Sequence, residues 1–533
     1  MIESSILLVM ALFFFMAMLF VVSQRFKISY PILLVVGGLA ISFIPGMPQI
    51  SINPDMVFLV FLPPLLFEAA WYTSWNSFWK NRRSILTMGF GLVFVTSLAV
   101  AYISVSLIPG FTLALGFLLG GIISPPDAVA ATSVLKDVNI PKRGITLLEG
   151  ESLVNDAASL TVFRMALAVI MTGAFTMQEA VVGFFTLAVM GIFVGLVIGH
   201  ILYFFLRYIA KSSSITTPIT LIAPYIMYIV AEHFEWSGVL AVVSGGLFLS
   251  FRSKDYMNYH TRIQATEVWE TVAFLLNGFV FILIGLELPI IIEGIESVSK
   301  EWALNIALII TGAIIVVRIG FIYAASYIPY LLSKKIRRKE SHPGWKMPLV
   351  LGWAGMRGVV SLASALAIPI YLTNGQHFPH RNLILFITFV VILITLVVQG
   401  LSLPWLIKAV KLEGNSEELP EAAQIEAIRY RLVKEEMKVL QTKYAKELEE
   451  SNTLKAINLQ LKRSLEATAT NLSSEAKIKL ANERGLYKKV MQDLIDVRRK
   501  IIYDMVAEKI YDESVLRSLE HNFDLEESRL NRK

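Results

Sequence analysis

The 533 residues are 55% hydrophobic and 17% charged, with a mean hydropathy of +0.62, whereas soluble domains carry about 25% charge. The absence of cysteine excludes disulfides, thiolate metal sites and thiol catalysis. A formal charge of +6 could suit nucleic acid, but the placement of basic residues in loops between apolar runs points to a membrane instead, and no nucleic-acid partner is expected.

Apolar runs long enough to cross a bilayer, roughly 20 residues each, recur from Ser4 to about Val410; dense Glu, Lys and Arg follow Lys411. This predicts a transmembrane domain over 1–410 and a cytoplasmic helical domain over 411–533. The expected fold is an all-α polytopic membrane protein with thirteen transmembrane helices. They fall at about 4–24, 28–46, 54–72, 84–108, 111–135, 145–172, 178–206, 215–232, 236–251, 268–292, 301–330, 347–372 and 382–408. The first run, Ile6–Val22, has no basic region before it and no small-residue cleavage site after it, so it reads as a retained helix.

Basic residues orient these spans. Nineteen Lys and Arg side chains fall in alternate loops, from Arg25 and Lys27, through Lys136 and Lys211, to the run Lys334–Lys346; the other loops hold Lys300 and Arg381. Such asymmetry places the basic side in the cytoplasm. The N-terminus is then expected outside and the C-terminal domain inside, across the plasma membrane. Trp71, Tyr72, Trp75 and Trp79 suit an interfacial belt where the third span leaves the bilayer.

Seven ionisable residues lie within the spans: Glu68, Asp127, Glu151, Asp156, Arg164, Arg318 and Arg357. Each costs roughly 2.5–3.5 kcal/mol at the bilayer centre, so they should face one another or a wet cavity. Function or interhelical ion pairing would each account for such a residue. No role is assigned to Glu68 or Arg164.

In the fifth span, "ISPPDAV" sets Ser124, Pro125 and Pro126 before Asp127. Ser124 as an N-cap, Pro125 at the first helical position and an acid three residues after the cap predict a helix start in mid-membrane. Two half-helices with an extended break follow, and free backbone groups at that depth must line a cavity. Secondary transporters build ion sites from such half-helix ends. Asp127 would compensate a positive helix N-terminus.

The next span carries "LLEGESLVNDAASLTVF", with Glu151, Asn155 and Ser159 on one helical face and Asp156 sharing a face with Ser152. A carboxylate in low dielectric resists ionisation and can take up a proton near neutral pH; its oxygens also suit a small hard cation. An acid that holds either a proton or a cation, never both, couples their movement, and Asp156 is assigned that role. Glu151 is expected to pair with a buried Arg and orient Asn155, with Glu149 as an entrance charge. "LGWAGMRGVVSLASAL" repeats the interruption late in the chain: Gly352, Gly355 and Gly358 surround Arg357. If spans 1–6 and 8–13 are two inverted halves, breaks in helices 5 and 12 correspond.

With these residues in view, the chain resembles the monovalent cation:proton antiporter family, on the electroneutral sodium/proton exchanger branch of bacterial type. The resemblance covers about residues 1–410 and rests on ordered motifs: "FLPPLLFEAA" (61–70), "SPPDAVA", "GESLVNDA" (150–157), "SGVLAVVSGG" (237–246), "VAFLLNGFVFILIGLEL" (272–288), "VVRIGF" (316–321) and "GMRGVVSLA" (355–363). The family often has Asp-Pro where this chain has Asp127-Ala128. The resemblance implies two inverted repeats, a homodimer and a core that moves like an elevator against a dimerisation domain. It implies that Asp156 binds the exchanged Na+ or H+, with Asp127, Glu151, Asn155 and Ser152 around it. Arg318 would pair with Glu151, and Arg357 would stabilise the crossing half-helices. Asn155 before Asp156 is the pattern of one-for-one exchange.

The implied function is exchange of Na+, or Li+ or K+, for H+ in pH and sodium homeostasis, with no cofactor and no enzymatic activity. Oxygen ligands admit either Na+ or K+. A potassium/proton antiporter of the same fold is the alternative, followed by a cation channel, for which no carbonyl-filter repeat is visible. An aspartyl protease using Asp127 and Asp156 is the remaining class, without the glycine-rich surroundings it would need. In the tail, Ile425, Ile428, Leu432 and Leu440 fall at helical spacing and further helical stretches follow, as in 475–506. Regulation and dimer contacts are the expected roles.

Overall fold

Long apolar helices dominate the described part of the first 412 residues of the computed structural model. It describes residues 2–26, 28–44, 57–135, 140–173, 177–210, 212–295, 299–339, 342–412, 421–469, 489–502, 523 and 526–527. Lys27, Lys136 and Lys211, counted among the orienting charges, lie outside the described residues, as do 45–46 and 54–56 at the ends of two expected spans. The chain divides into two units, Met1–Asn415 and Ser416–Lys533.

In the first unit, α1 (Ile2–Phe26) and α2 (Tyr30–Ser42) precede a π-helical turn, Val57–Phe61, that leads into α3 (Leu62–Tyr72). The helices α4 (Trp75–Leu86) and α5 (Leu92–Leu107) join through a second π-helical turn into one span. Then come the half-helices α6 (Leu113–Ile123) and α7 (Ala128–Leu135), followed by α8 (Lys142–Thr172), α9 (Met177–Tyr208), α10 (Ser213–His233) and α11 (Gly238–Tyr256). After α12 (Tyr259–Glu293), α13 (Lys300–Leu332) and the short α14 (Lys334–Lys339), a second pair of half-helices appears, α15 (Lys346–Trp353) and α16 (Val359–Leu366). The last span is α17 (Arg381–Ile394) continued by α18 (Gly400–Val410).

Among the described residues, nine helices are long and apolar enough to cross a membrane. Of the other four expected spans, Tyr30–Ser42 and Leu59–Tyr72 are shorter apolar helices. The span over 347–372 is split into the two eight-residue helices α15 and α16. The remaining one, α11, is 19 residues long and carries Arg252, Lys254 and Asp255 near its end.

Local chemistry sets the ends. Thr112 accepts from the Leu115 N–H at 3.3 Å to start α6, and Ser299 accepts from Trp302 at 3.3 Å to start α13. Gly173, at φ +69°, closes α8 in the left-handed region. On α9, Phe185, Val189, Phe193 and Ile201 stand exposed, a face that suits lipid rather than water. Trp75 and Trp79 stack at 5.5 Å, and the Arg82 guanidinium lies over Trp79.

Two apolar cores flank α8. Val154 and Phe163 pack into a core with Leu119, Ile123, Ile314 and Ile384. On another face, Leu153, Ala157 and Leu160 join Phe67, Met227, Val242 and Trp269. The spacing of 153, 157 and 160 keeps these three on one side of the helix. Thus α8 contributes side chains to both apolar cores.

The second unit contains α19 (Glu421–Lys443), α20 (Ala445–Glu450), α21 (Asn452–Ala469) and a helix over 489–502. Of the expected apolar stripe, Leu440 is buried whereas Ile428 and Leu432 are exposed; the Ile425 side chain lies outside the described residues. Most of 475–506 also lies outside them. Arg498 pairs with Glu526 at 2.9 Å and Arg499 with Glu527 at 2.6 Å.

Candidate ion-binding site

The two interrupted spans meet at their breaks. Asp127 donates its backbone N–H to the Met356 carbonyl at 2.6 Å, and Arg357 Nε donates to the Ile123 carbonyl at 3.1 Å. A second Arg357 nitrogen donates to the Gly355 carbonyl, and its backbone N–H donates to Thr395 Oγ1 at 3.1 Å. One guanidinium therefore serves the carboxyl ends of both α6 and α15, where helix dipoles leave partial negative charge. Asp127 does the complementary work: Oδ1 accepts from Val129 at 2.8 Å and from Ala130 at 3.3 Å, at the start of α7.

This corrects the expected helix start. Ser124 does not cap α7; it ends α6, with its Oγ donating to the Gly121 carbonyl at 3.3 Å. Pro125 is likewise not the first helical residue. Neither proline has an N–H to offer a cap, so the first N–H groups that need a partner come after them, within reach of the Asp127 carboxylate. The residue read as following the cap is the cap.

Close approach of the breaks demands glycine at one position. A Cβ on Gly358, which sits at φ −147° and ψ −136° just before α16, would collide with Asp127 Oδ2. Gly355 and Gly358 fall within the break, while Gly352 lies inside α15.

Helix α8 runs past the crossing. Glu151 receives both terminal nitrogens of Arg318, at 2.6 and 3.0 Å, with neither side chain open to solvent. Arg318 also donates to the Leu351 carbonyl at 3.3 Å, near the end of α15. Asn155 donates to the Pro126 carbonyl at 3.3 Å, and Ser152 Oγ accepts from the Ala128 N–H at 3.4 Å. Glu151 therefore does not orient Asn155: its oxygens are taken by Arg318, and the broken backbone holds the amide instead. Ser159 turns back on its own helix, donating to the Asp156 carbonyl at 3.0 Å. Glu149 is exposed and Glu68 half-buried.

Beside the crossing lies a cavity of about 70 Å³ whose polar lining includes Asp127, Ser152, Asp156, Asn277 and Ser361. Asp156 is 7% exposed. Apolar residues of α3, among them Leu62 and Leu66, also line the cavity. A few oxygen donors around one buried carboxylate suit a small, partly dehydrated cation. Two lining residues were missed in the sequence. Asn277 is a polar residue inside an otherwise apolar run, a signal that could have been read; Ser361 is a common small residue and carried none.

Arg164, without a role in the sequence, bonds both carboxylate oxygens of Glu232 at 2.8 and 2.7 Å. Glu232 also accepts from the Gly238 N–H at 3.0 Å, which ties α8 to the turn between α10 and α11.

Solved structures share this architecture. Two structures of the sodium proton antiporter MjNhaP1 from Methanocaldococcus jannaschii match over their whole length. One covers 77% of this chain at TM-score 0.58 and 19% identity; the other covers 79% at 0.60 and 21%. The fold is thus that of a sodium–proton antiporter. The transmembrane sodium/hydrogen exchanger family matches residues 9–409, and the chain belongs to that family of monovalent cation:proton antiporters. An uncharacterised Na+/H+ exchanger of Mycobacterium tuberculosis is 30% identical over 96% of this chain and 93% of its own. The low-affinity Na+/H+ antiporter NhaS1 of Synechocystis is 34% identical, covering 75% of this chain and 73% of its own. A sodium, potassium, lithium and rubidium/H+ antiporter of Bacillus subtilis is 33% identical, covering 69% and 56%.

Proposed function

We propose that this multi-pass membrane transporter exchanges one monovalent cation for one proton, with Asp156 as the group that carries each in turn. One observation carries the reading: a buried carboxylate opens onto a small oxygen-lined cavity beside two crossed helix breaks, and no described residue donates to it. A carboxylate without a fixed partner is free to bind a proton or a cation, and the two exclude each other. Asp127 and Arg357 hold the crossing through neutralised helix ends; Glu151 and Arg318 brace α8 against α13. Ser152 and Asn155 hold the broken backbone near Asp156, where they would also serve the cation.

Na+ is the favoured substrate, with Li+ and K+ as further candidates; the chain is similar both to a relative named for Na+ and to one named for sodium, potassium, lithium and rubidium. Electroneutral exchange follows from a single titrating carrier, since one proton replaces one positive charge. The charge asymmetry of the loops supports an external N-terminus and a cytoplasmic domain after residue 410, in the plasma membrane. The family resemblance supports a homodimer, and no cofactor is invoked.

The test is proton flux in proteoliposomes, reported by an entrapped dye as Na+, Li+ or K+ is added. Asp156→Asn should abolish exchange while the protein remains folded and monodisperse. Wild-type exchange in that variant would end the assignment. Insensitivity of the rate to a clamped membrane potential would support one-for-one exchange.

A further inference from the structure

Ser361 is the third residue of α16 and is 1% exposed. Serines in helices can return their hydroxyl to a carbonyl one turn back, as the buried Ser364 does to Val360 at 2.7 Å, whereas the buried Ser97 and Ser104 of α5 do not. Ser361 Oγ likewise has no hydrogen-bond partner among the described residues, but unlike those two serines it belongs to the wall of the candidate ion cavity. The residue four positions earlier is Arg357, which lies in the break before α16 rather than in the helix. The same Ser361 lines the cavity that contains Asp127, Ser152 and Asp156. An unpaired buried hydroxyl is costly, and a cation in that cavity would supply the partner its lone pairs lack.

We propose that Ser361 is a neutral oxygen ligand of the transported cation and helps set which cation is preferred. This rests on the reading of Asp156 as the carrier. A proton needs only the carboxylate, whereas a cation needs a shell of oxygens to replace lost water. A hydroxyl in that shell therefore acts on cation binding alone. The number and field strength of such ligands govern discrimination among cations, and the smaller, more strongly hydrated Na+ and Li+ lose most when one is removed. Because the hydroxyl is uncharged, its removal leaves the field of Asp127 and Asp156 intact.

The experiment uses the purified full chain in proteoliposomes, with dye-reported proton flux against Na+, Li+, K+, Rb+ and Tl+. Ser361→Ala should raise the apparent KM for Na+ and Li+ about tenfold, more than for K+ and Rb+, with maximal rates within about twofold of wild type. Ser361→Cys puts a softer donor in the same place and should shift preference from Na+ towards Tl+; the chain has no other cysteine to confuse the result. Unchanged KM values for every cation in both variants would overturn the proposal. So would a uniform rise for all cations accompanied by lower thermal stability, which marks a packing role. The Asp156→Asn control is read separately: exchange surviving there removes the carrier reading, while the Ser361 variants retain Asp156 and report only on ligation.

Discussion

Arg318 grips Glu151 with two parallel hydrogen bonds, 2.6 and 3.0 Å, across 167 residues of sequence and out of reach of solvent. Two charges in that setting stabilise only as a pair; leaving either one alone costs roughly 3–5 kcal/mol. Glu151→Gln or Arg318→Gln should therefore lower the unfolding midpoint in detergent markedly. The double replacement Glu151→Leu with Arg318→Met should recover most of the loss, because it strands no charge. Equal stability of the single variants and wild type would show that the pair does not brace these helices.

At the crossing, Gly358→Ala drives a methyl group into the Asp127 carboxylate. Overpacking of this kind costs about 1–3 kcal/mol, here placed beside the ion cavity. The expected outcome is a folded protein with exchange reduced at least tenfold. Flux and thermal unfolding measured on one preparation check it. Near-normal flux would mean that the half-helices part easily.

Competition at a single carboxylate fixes how pH acts on cation affinity. Where Asp156 is mostly protonated, each unit of acidification should raise the apparent KM for Na+ about tenfold, since one proton must leave before one cation binds. At high pH the KM should level off as the proton ceases to compete. Steady-state flux against Na+ at stepped, symmetrical pH gives the slope. A slope near zero would mean separate sites for the two ions.

The Arg164–Glu232 pair differs in kind from Arg318–Glu151. Its side chains are 37% and 27% exposed, so solvent screening limits its contribution to at most about 1 kcal/mol. Arg164→Gln should shift the unfolding midpoint only slightly. Glu232→Ala should cost more, because Glu232 also holds the Gly238 N–H at the start of α11. Comparison of the two midpoints decides the order.

Composition and periodicity alone were enough to recognise a polytopic all-helical protein, to find both helix breaks and to single out Asp127, Glu151, Asp156, Arg318 and Arg357. These signals are strong because lipid forbids what they display: prolines, glycines and charges in apolar runs require a compensating site nearby. Sequence did not reveal which atom meets which. Only tertiary structure decided that Asp127 rather than Ser124 caps α7, since the choice depends on where a carboxylate can reach once two prolines have removed the earlier N–H groups. Only tertiary structure brought Glu232 to Arg164, 68 residues away, and made Ser361, whose hydroxyl is unpartnered among the described residues, part of the lining of the Asp156 cavity. A spacing in sequence encodes a helix face; which distant face lies opposite is set by how α6, α8 and α16 pack together.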